Sequence, residues 1–139
     1  MFKNILIAVD GSEHAYKAAE LAGNMARLTG ADVYLVTVYD PIPAYLGQPN
    51  LQEAITERMS KATEALQIAQ QRIGAISGEL KTETLEGPVA EAILAVADAR
   101  RIDLIVMGTR GLGRLAGLLL GSQSQKVISH AVCPVMLVH

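Results

Sequence analysis

The chain has 139 residues and a mass of 14.8 kDa; half of the residues are apolar, 19% are charged, and the mean hydropathy is +0.28. That size fits a single domain around one core, and the composition buries enough surface to offset the entropy of ordering, which excludes a disordered tail and a second domain. A formal net charge of −2 gives no field to gather nucleic acid or an anionic membrane surface, and apolar runs such as residues 5–9 and 104–107 fall far short of the roughly 20 needed to cross a bilayer.

Strand-like and helix-like segments alternate along the chain. Residues 5–9, Ile5-Leu6-Ile7-Ala8-Val9, form a continuous β-branched run closed by Asp10-Gly11-Ser12, the pattern of a strand buried on both faces. Ala15, Ala18, Ala22, Met25 and Ala26 then recur at helical spacing over 13–29, with Ser12 placed to cap the start and Gly30 to stop the end. A second strand is predicted over 33–38, ended by Asp40-Pro41-Ile42-Pro43, and an irregular stretch follows to Asn50. From Leu51 apolar residues step by three or four through Ile55, Met59, Leu66, Ile73 and Ile76, which predicts one long helix stopping near Gly78.

Residues 81–86 are a more polar strand, as suits a sheet edge, and Gly87-Pro88 opens a third helix with proline in its first position, running to about Arg101. A fourth strand over 103–107, a short helix over 122–131 and a fifth strand over 134–138 complete the pattern. Five strands joined by four helices require right-handed crossovers and a parallel sheet, so the fold class expected is a doubly wound α/β domain, sheet order 3-2-1-4-5, spanning residues 1–139. Ligands of such sheets bind beyond the carboxyl ends of the strands, where the order reverses, and here the turn at Asp10 and the loop after Met107 meet at that point.

The amino terminus, Met1-Phe2-Lys3-Asn4, passes straight into the first strand without a basic and apolar leader, so a cytoplasmic location is expected. Cys133 is the one cysteine; it allows no intrachain disulfide or multi-cysteine metal cage and is expected to pack as a small hydrophobe. His14 and His130 have no companion ligand at metal spacing, and they and Lys126 are expected to face solvent.

Charge is unevenly distributed. All 14 acidic residues lie at or before Asp103, although a segment as long as 104–139 would carry about four at the average frequency. An anionic ligand near the last third would explain the bias, and so would a buried strand and a glycine-rich loop that exclude charge. Residues 108–121 contain five glycines in fourteen positions, between a buried strand and a helix start, which suits a loop whose backbone amides face a ligand. Gly121 would admit a phosphate without a Cβ clash, and Ser122 and Ser124 would add donors at the amino end of the helix. The same Gly121-Ser122 pair also fits a plain turn and helix cap. Neither a Walker lysine triplet nor the dinucleotide-binding glycines after the first strand are present.

Three segments together resemble the universal stress protein family. Gly108-x2-Gly111-x9-Gly121-Ser122 has the spacing of its nucleotide-binding signature, and Lys3-Asn4-Ile5-Leu6-Ile7-Ala8-Val9-Asp10-Gly11-Ser12 and Cys133-Pro134-Val135-Met136-Leu137-Val138 are similar to its opening and ending. The resemblance covers nearly the whole chain and implies the ATP-binding branch. It implies that Ala8, Asp10 and Val38 line the adenine and ribose pocket, that Met107 and Gly108 complete that wall, and that Gly111, Gly121, Ser122, Gln123 and Ser124 cradle ribose and phosphates, chiefly through backbone amides.

Asp10 can accept from a ribose hydroxyl or a base N–H, or simply cap its own turn. Arg110 and Arg114 either clamp the outer phosphates or stay solvated. With Asp10 the one carboxylate expected near the ligand, catalysis should be slow at most, so ATP, ADP or AMP, with Mg2+ where phosphates hold it, is expected to act through a regulatory, nucleotide-dependent switch that a protein partner reads. A weak ATPase or self-phosphorylating enzyme, with Ser122 or Ser124 as acceptor, and a nucleotide-free scaffold are the alternatives. The apolar strand 134–138 at a sheet edge predicts a homodimer through strand pairing, as the resemblance also implies.

Overall fold

The computed structural model describes residues 1–41, 47, 50–109 and 121–139. Its elements are β1 (Asn4–Val9), α1 (Glu13–Thr29), β2 (Asp32–Tyr39), α2 (Asn50–Ile73), β3 (Leu80–Glu86), α3 (Val89–Ala99), β4 (Leu104–Gly108), α4 (Ser122–His130) and β5 (Val135–Val138). The strands form a five-stranded sheet in the order β3-β2-β1-β4-β5, and every neighbouring pair is parallel, as expected from the alternating pattern.

Successive side chains of a strand point to opposite faces, and here both faces are covered. Ile5, Ile7, Val33, Leu35, Leu104 and Val106 pack under α1 and α2, whereas Leu6, Ala8, Val36, Ile105 and Met107 pack under α3 and α4. That two-sided burial is why the central strands are continuously apolar instead of alternating. Each fully buried Ile or Leu contributes roughly 1.5–3 kcal/mol by removal from water. No helix among the described residues is long and apolar enough to cross a membrane.

α1 meets the sheet through alanines: Ala15, Ala18, Ala19, Ala22 and Ala26 are all buried. The small side chains bring the helix close, and at Gly23 an added Cβ would lie 2.5 Å from the Ile73 carbonyl of α2. Ser12 caps α1 by accepting from Ala15 N at 3.2 Å, and Gly30, at φ +74°, ends it. The boundaries of two helices differ from expectation. α2 stops at Ile73, short of Gly78, because Gly74 is left-handed at φ +73° and Arg27 of α1 donates from Nη1 to the Ile73 and Ala75 carbonyls, at 2.7 and 2.8 Å. Ile76 nevertheless packs against the core from the following loop, which is why its spacing continued the helical pattern.

In α3, Pro88 is the N-cap, not the first helical residue: its ψ of 145° is extended, so the helix opens at Val89. At its other end α3 closes at Ala99, before Arg101 adopts φ +53°. Other limits move by a single position: β1 begins at Asn4, β2 covers Asp32–Tyr39, α2 begins at Asn50, β3 begins at Leu80, β4 covers Leu104–Gly108, α4 ends at His130 and β5 begins at Val135.

Candidate nucleotide site at the carboxyl end of the sheet

The sheet order reverses between β1 and β4, and the two strands diverge into the turn at Asp10 and the segment after Gly108. A cleft of about 110 Å³ opens there between the ends of β1, β2 and β4 and the first turns of α3 and α4. Seven of the residues singled out from the sequence line it: Ala8, Asp10, Val38, Met107, Gly108, Gln123 and Ser124. Gly121 and Ser122 stand next to it in the chain, as the N-cap and first residue of α4. Gly111, Arg110 and Arg114 lie outside the described residues, as does the Leu118-Leu119-Leu120 run.

Sequence reasoning missed Val9, Ala15, Val89 and Ile93, which also line the cleft. Val89 and Ile93 sit four residues apart at the start of α3 and face the same side of the sheet as Ala8 and Met107. An i, i+4 apolar pair immediately after Gly87-Pro88 was the available signal, and it reads equally as ordinary core.

Asp10 is exposed at the rim, and its Oδ1 accepts from Ser12 N at 2.9 Å. It therefore closes its own turn, helped by Gly11 at φ +87°, a conformation L-residues rarely adopt. Among the described residues Oδ2 has no protein donor, so turn closure leaves one oxygen for a ligand. Thr37 is buried and satisfied, its Oγ1 donating to Val9 O at 2.8 Å, which ties the ends of β1 and β2 together behind the cleft.

The start of α4 differs from the start of α1. Its N-cap, Gly121, offers no side-chain acceptor, and the first amides of a helix have no intrahelical partner. Ser122, exposed, is the first helical residue rather than the cap, and Ser124 is buried against the cleft. The Gln123 side chain turns away to α3, where its Oε1 accepts from Ala90 N at 3.0 Å and caps a helix whose Pro88 cannot do so. That bond occupies Gln123 Oε1 and leaves its backbone N–H as one donor a ligand could use. Positive dipole ends, apolar walls and one carboxylate form a setting suited to a flat apolar ring carrying a hydroxyl and an anionic tail.

Other titratable groups do not join this cleft. Burial pushes the Cys133 thiol above its ordinary value, with Asp103 adding to the effect, so the thiol stays protonated at neutral pH and packs against the α3 and α4 side of the core. His130 and Lys126 are exposed as expected. His14 is not: it is half-buried, and its Nδ1 lies 3.2 Å from Thr109 O and 3.3 Å from Thr109 Oγ1, because the end of β4 runs against the first turn of α1. Among the described residues no cluster of three or more His, Cys, Asp or Glu side chains could hold a metal ion.

A larger hollow, about 680 Å³, opens on the opposite face between β2 and α2 and shares Asp10 and Val38 with the cleft. Its walls include Arg58, Lys61 and Glu64, charges of both signs, and the Tyr16 hydroxyl, which burial and the neighbouring Glu64 and Asp10 hold above the ordinary phenol range. Among the described residues its lining includes none of β4 and none of α4.

A model of the universal stress protein family matches residues 1–139. The chain belongs to the universal stress protein family. It is 47% identical over 140 residues to a universal stress protein of Thermus aquaticus, covering 99% of each chain. The solved structure of universal stress protein UspA from Lactobacillus plantarum superimposes with a TM-score of 0.84 at 31% identity, over 99% of this chain and 98% of that one. A universal stress protein from Archaeoglobus fulgidus, solved in complex with dAMP, matches with a TM-score of 0.66 at 25% identity, over 100% of this chain and 98% of that chain.

Proposed function

We propose that this chain is a regulatory module that holds an adenine nucleotide in the cleft at the carboxyl ends of β1, β2 and β4. The observation that carries the reading is the pairing of an apolar, enclosed slot with an uncapped start of α4 at the same end of the sheet. The dAMP held by the Archaeoglobus fulgidus relative supports the same class of ligand. The base lies between Val38 and Met107, a ribose hydroxyl donates to Asp10, and the backbone amides of Ser122, Gln123 and Ser124 face the phosphates. ATP is the nucleotide proposed, with ADP and AMP as shorter relatives. Asp10 is the one carboxylate among the described lining residues, which suits a Mg2+ held mainly by phosphate oxygens and water.

The same paucity of acid and base groups makes the protein a binder with slow turnover at most. The exposed Ser122 hydroxyl at the amino end of α4 favours self-phosphorylation as the second reading, and single-turnover phosphate release distinguishes the two. The proposal includes a cytoplasmic location, in keeping with a lone thiol, and a protein partner that reads the nucleotide state. It includes a homodimer through residues 134–138: β5 is a short apolar strand at the sheet edge, paired on one side with β4.

Gly121 gives the direct test. Its φ of −63° and ψ of 152° suit any residue, so its backbone does not demand glycine. Gly121→Val is expected to retain the fold and melting temperature and to lose ATP binding measured by calorimetry. Wild-type ATP affinity in this variant overturns the cradle.

A further inference from the structure

The hollow of about 680 Å³ between β2 and α2 receives a side chain that the sheet and helices leave unsatisfied. Tyr16 of α1 is only 9% exposed, and its hydroxyl has no hydrogen-bond partner among the described residues. No fully buried polar side-chain atom among those residues lacks a partner, so this hydroxyl keeps its access through the hollow. It sits beside the turn after β1, where a Cβ added at Gly11 would lie 4.0 Å from the hydroxyl oxygen.

The free charges beside it are acidic. Burial, Glu64 and Asp10 together keep the phenol protonated and neutral, so its oxygen can accept from a cation. Asp10 Oδ2 has no protein donor, and Glu64 makes no ion pair among the described residues. Arg72, whose guanidinium lies 5.7 Å from the Tyr16 ring centroid, is already engaged by Glu13 and Glu20. Ala65 and Ile68 of α2 supply an apolar floor. The other end is basic: Arg58 stands six residues before Glu64 on α2, about 9 Å along the helix axis. Its Nη1 donates to Asp40 O at 2.8 Å, which holds the guanidinium at the rim and leaves its other N–H groups for a ligand.

We propose that this hollow is a second ligand site and that it takes an ω-amino acid. The ammonium donates its three N–H groups to Tyr16 Oη, Asp10 Oδ2 and the Glu64 carboxylate, the methylene chain lies on Ala65 and Ile68, and the carboxylate meets Arg58. A diamine would set its second ammonium against Arg58 and Lys61, and a simple carboxylate would leave the acidic end without a partner. The site shares Asp10 and Val38 with the nucleotide cleft but takes nothing from β4 or α4, so it stands apart from the nucleotide reading.

Calorimetric titration with δ-aminovalerate, valerate and cadaverine, three probes of one chain length, tests it. Wild type is expected to bind δ-aminovalerate saturably in the millimolar range and the other two at least about tenfold more weakly, the loss of one charge-assisted contact. Tyr16→Phe removes only the hydroxyl and is expected to weaken δ-aminovalerate about three- to tenfold. Glu64→Gln, at an exposed position where the fold is not at stake, is expected to weaken it by at least as much. Absence of saturable δ-aminovalerate binding, equal binding of valerate or cadaverine, or undiminished δ-aminovalerate affinity in either variant overturns the site, whatever the result with ATP.

Discussion

Replacing Gly108 by alanine probes the closest backbone approach at the site. The new methyl would sit 2.7 Å from Ala15 N, 2.8 Å from His14 C and 3.1 Å from Ala15 Cα, whereas ordinary contact begins near 3.4 Å. All three atoms are backbone, so relief needs the first turn of α1 to retreat from β4 by about 0.7 Å, the difference between 3.4 and 2.7 Å. Overpacking of this kind costs about 1–3 kcal/mol. Gly108 has no left-handed φ, so alanine also restricts the unfolded chain, which returns about 0.4–1 kcal/mol. At the middle of both ranges the net loss is about 1.3 kcal/mol, and at about 4 °C per kcal/mol for a chain of this length the melting temperature falls by about 5 °C. Thermal unfolding followed by circular dichroism measures it. A midpoint within about a degree of wild type would mean that α1 is not seated on β4 as described, and the His14 contact with Thr109 would lose its basis.

Two further outcomes follow from the surface and the sheet edge. Glu13 donates no proton to its pairing with Arg72; its carboxylate accepts from both guanidinium nitrogens at 3.0 and 3.2 Å, which holds its pKa below the ordinary 4.5. The stability from this pair is present above pH 4.5 and lost as the pH falls through the lower folded value, so the gap between wild type and Glu13→Gln in urea unfolding should close from pH 7 to pH 3. A gap that is constant over that range refutes the pairing's contribution. At the other edge, Met136→Lys places a charge on β5 and is expected to yield monomers in sedimentation; an unchanged dimer mass removes strand pairing as the interface.

The architecture was legible because its physics is periodic. Continuous apolar runs at Ile5 to Val9 and Leu104 to Met107 mark strands covered on both faces, and the structure covers them so. Strand number and connection lengths then leave few topologies, and the switch point follows from the order β3-β2-β1-β4-β5. Seven lining residues were identified because they end strands or begin α4, where position alone suggests a role. Val89 and Ile93 escaped because a buried helical residue carries the same signature whether it faces the core or a ligand. Where α2 ends was hidden for a different reason. Arg27 reaches it from 46 residues earlier in the chain, and local spacing holds no trace of that hydrogen bond. His14 read as solvent-facing for the same reason, since its partner, Thr109, lies 95 residues away.

The Gln123 side chain makes two helices mechanically inseparable. Its amide oxygen terminates α3 at Ala90, while its own main chain forms the opening turn of α4. Any pull on that opening turn lengthens the bond to Ala90 and frays α3, and any loosening of α3 releases the turn in exchange. α3 and α4 thus share a hydrogen bond at their adjoining starts, so a substitution at Gln123 acts on both helices at once.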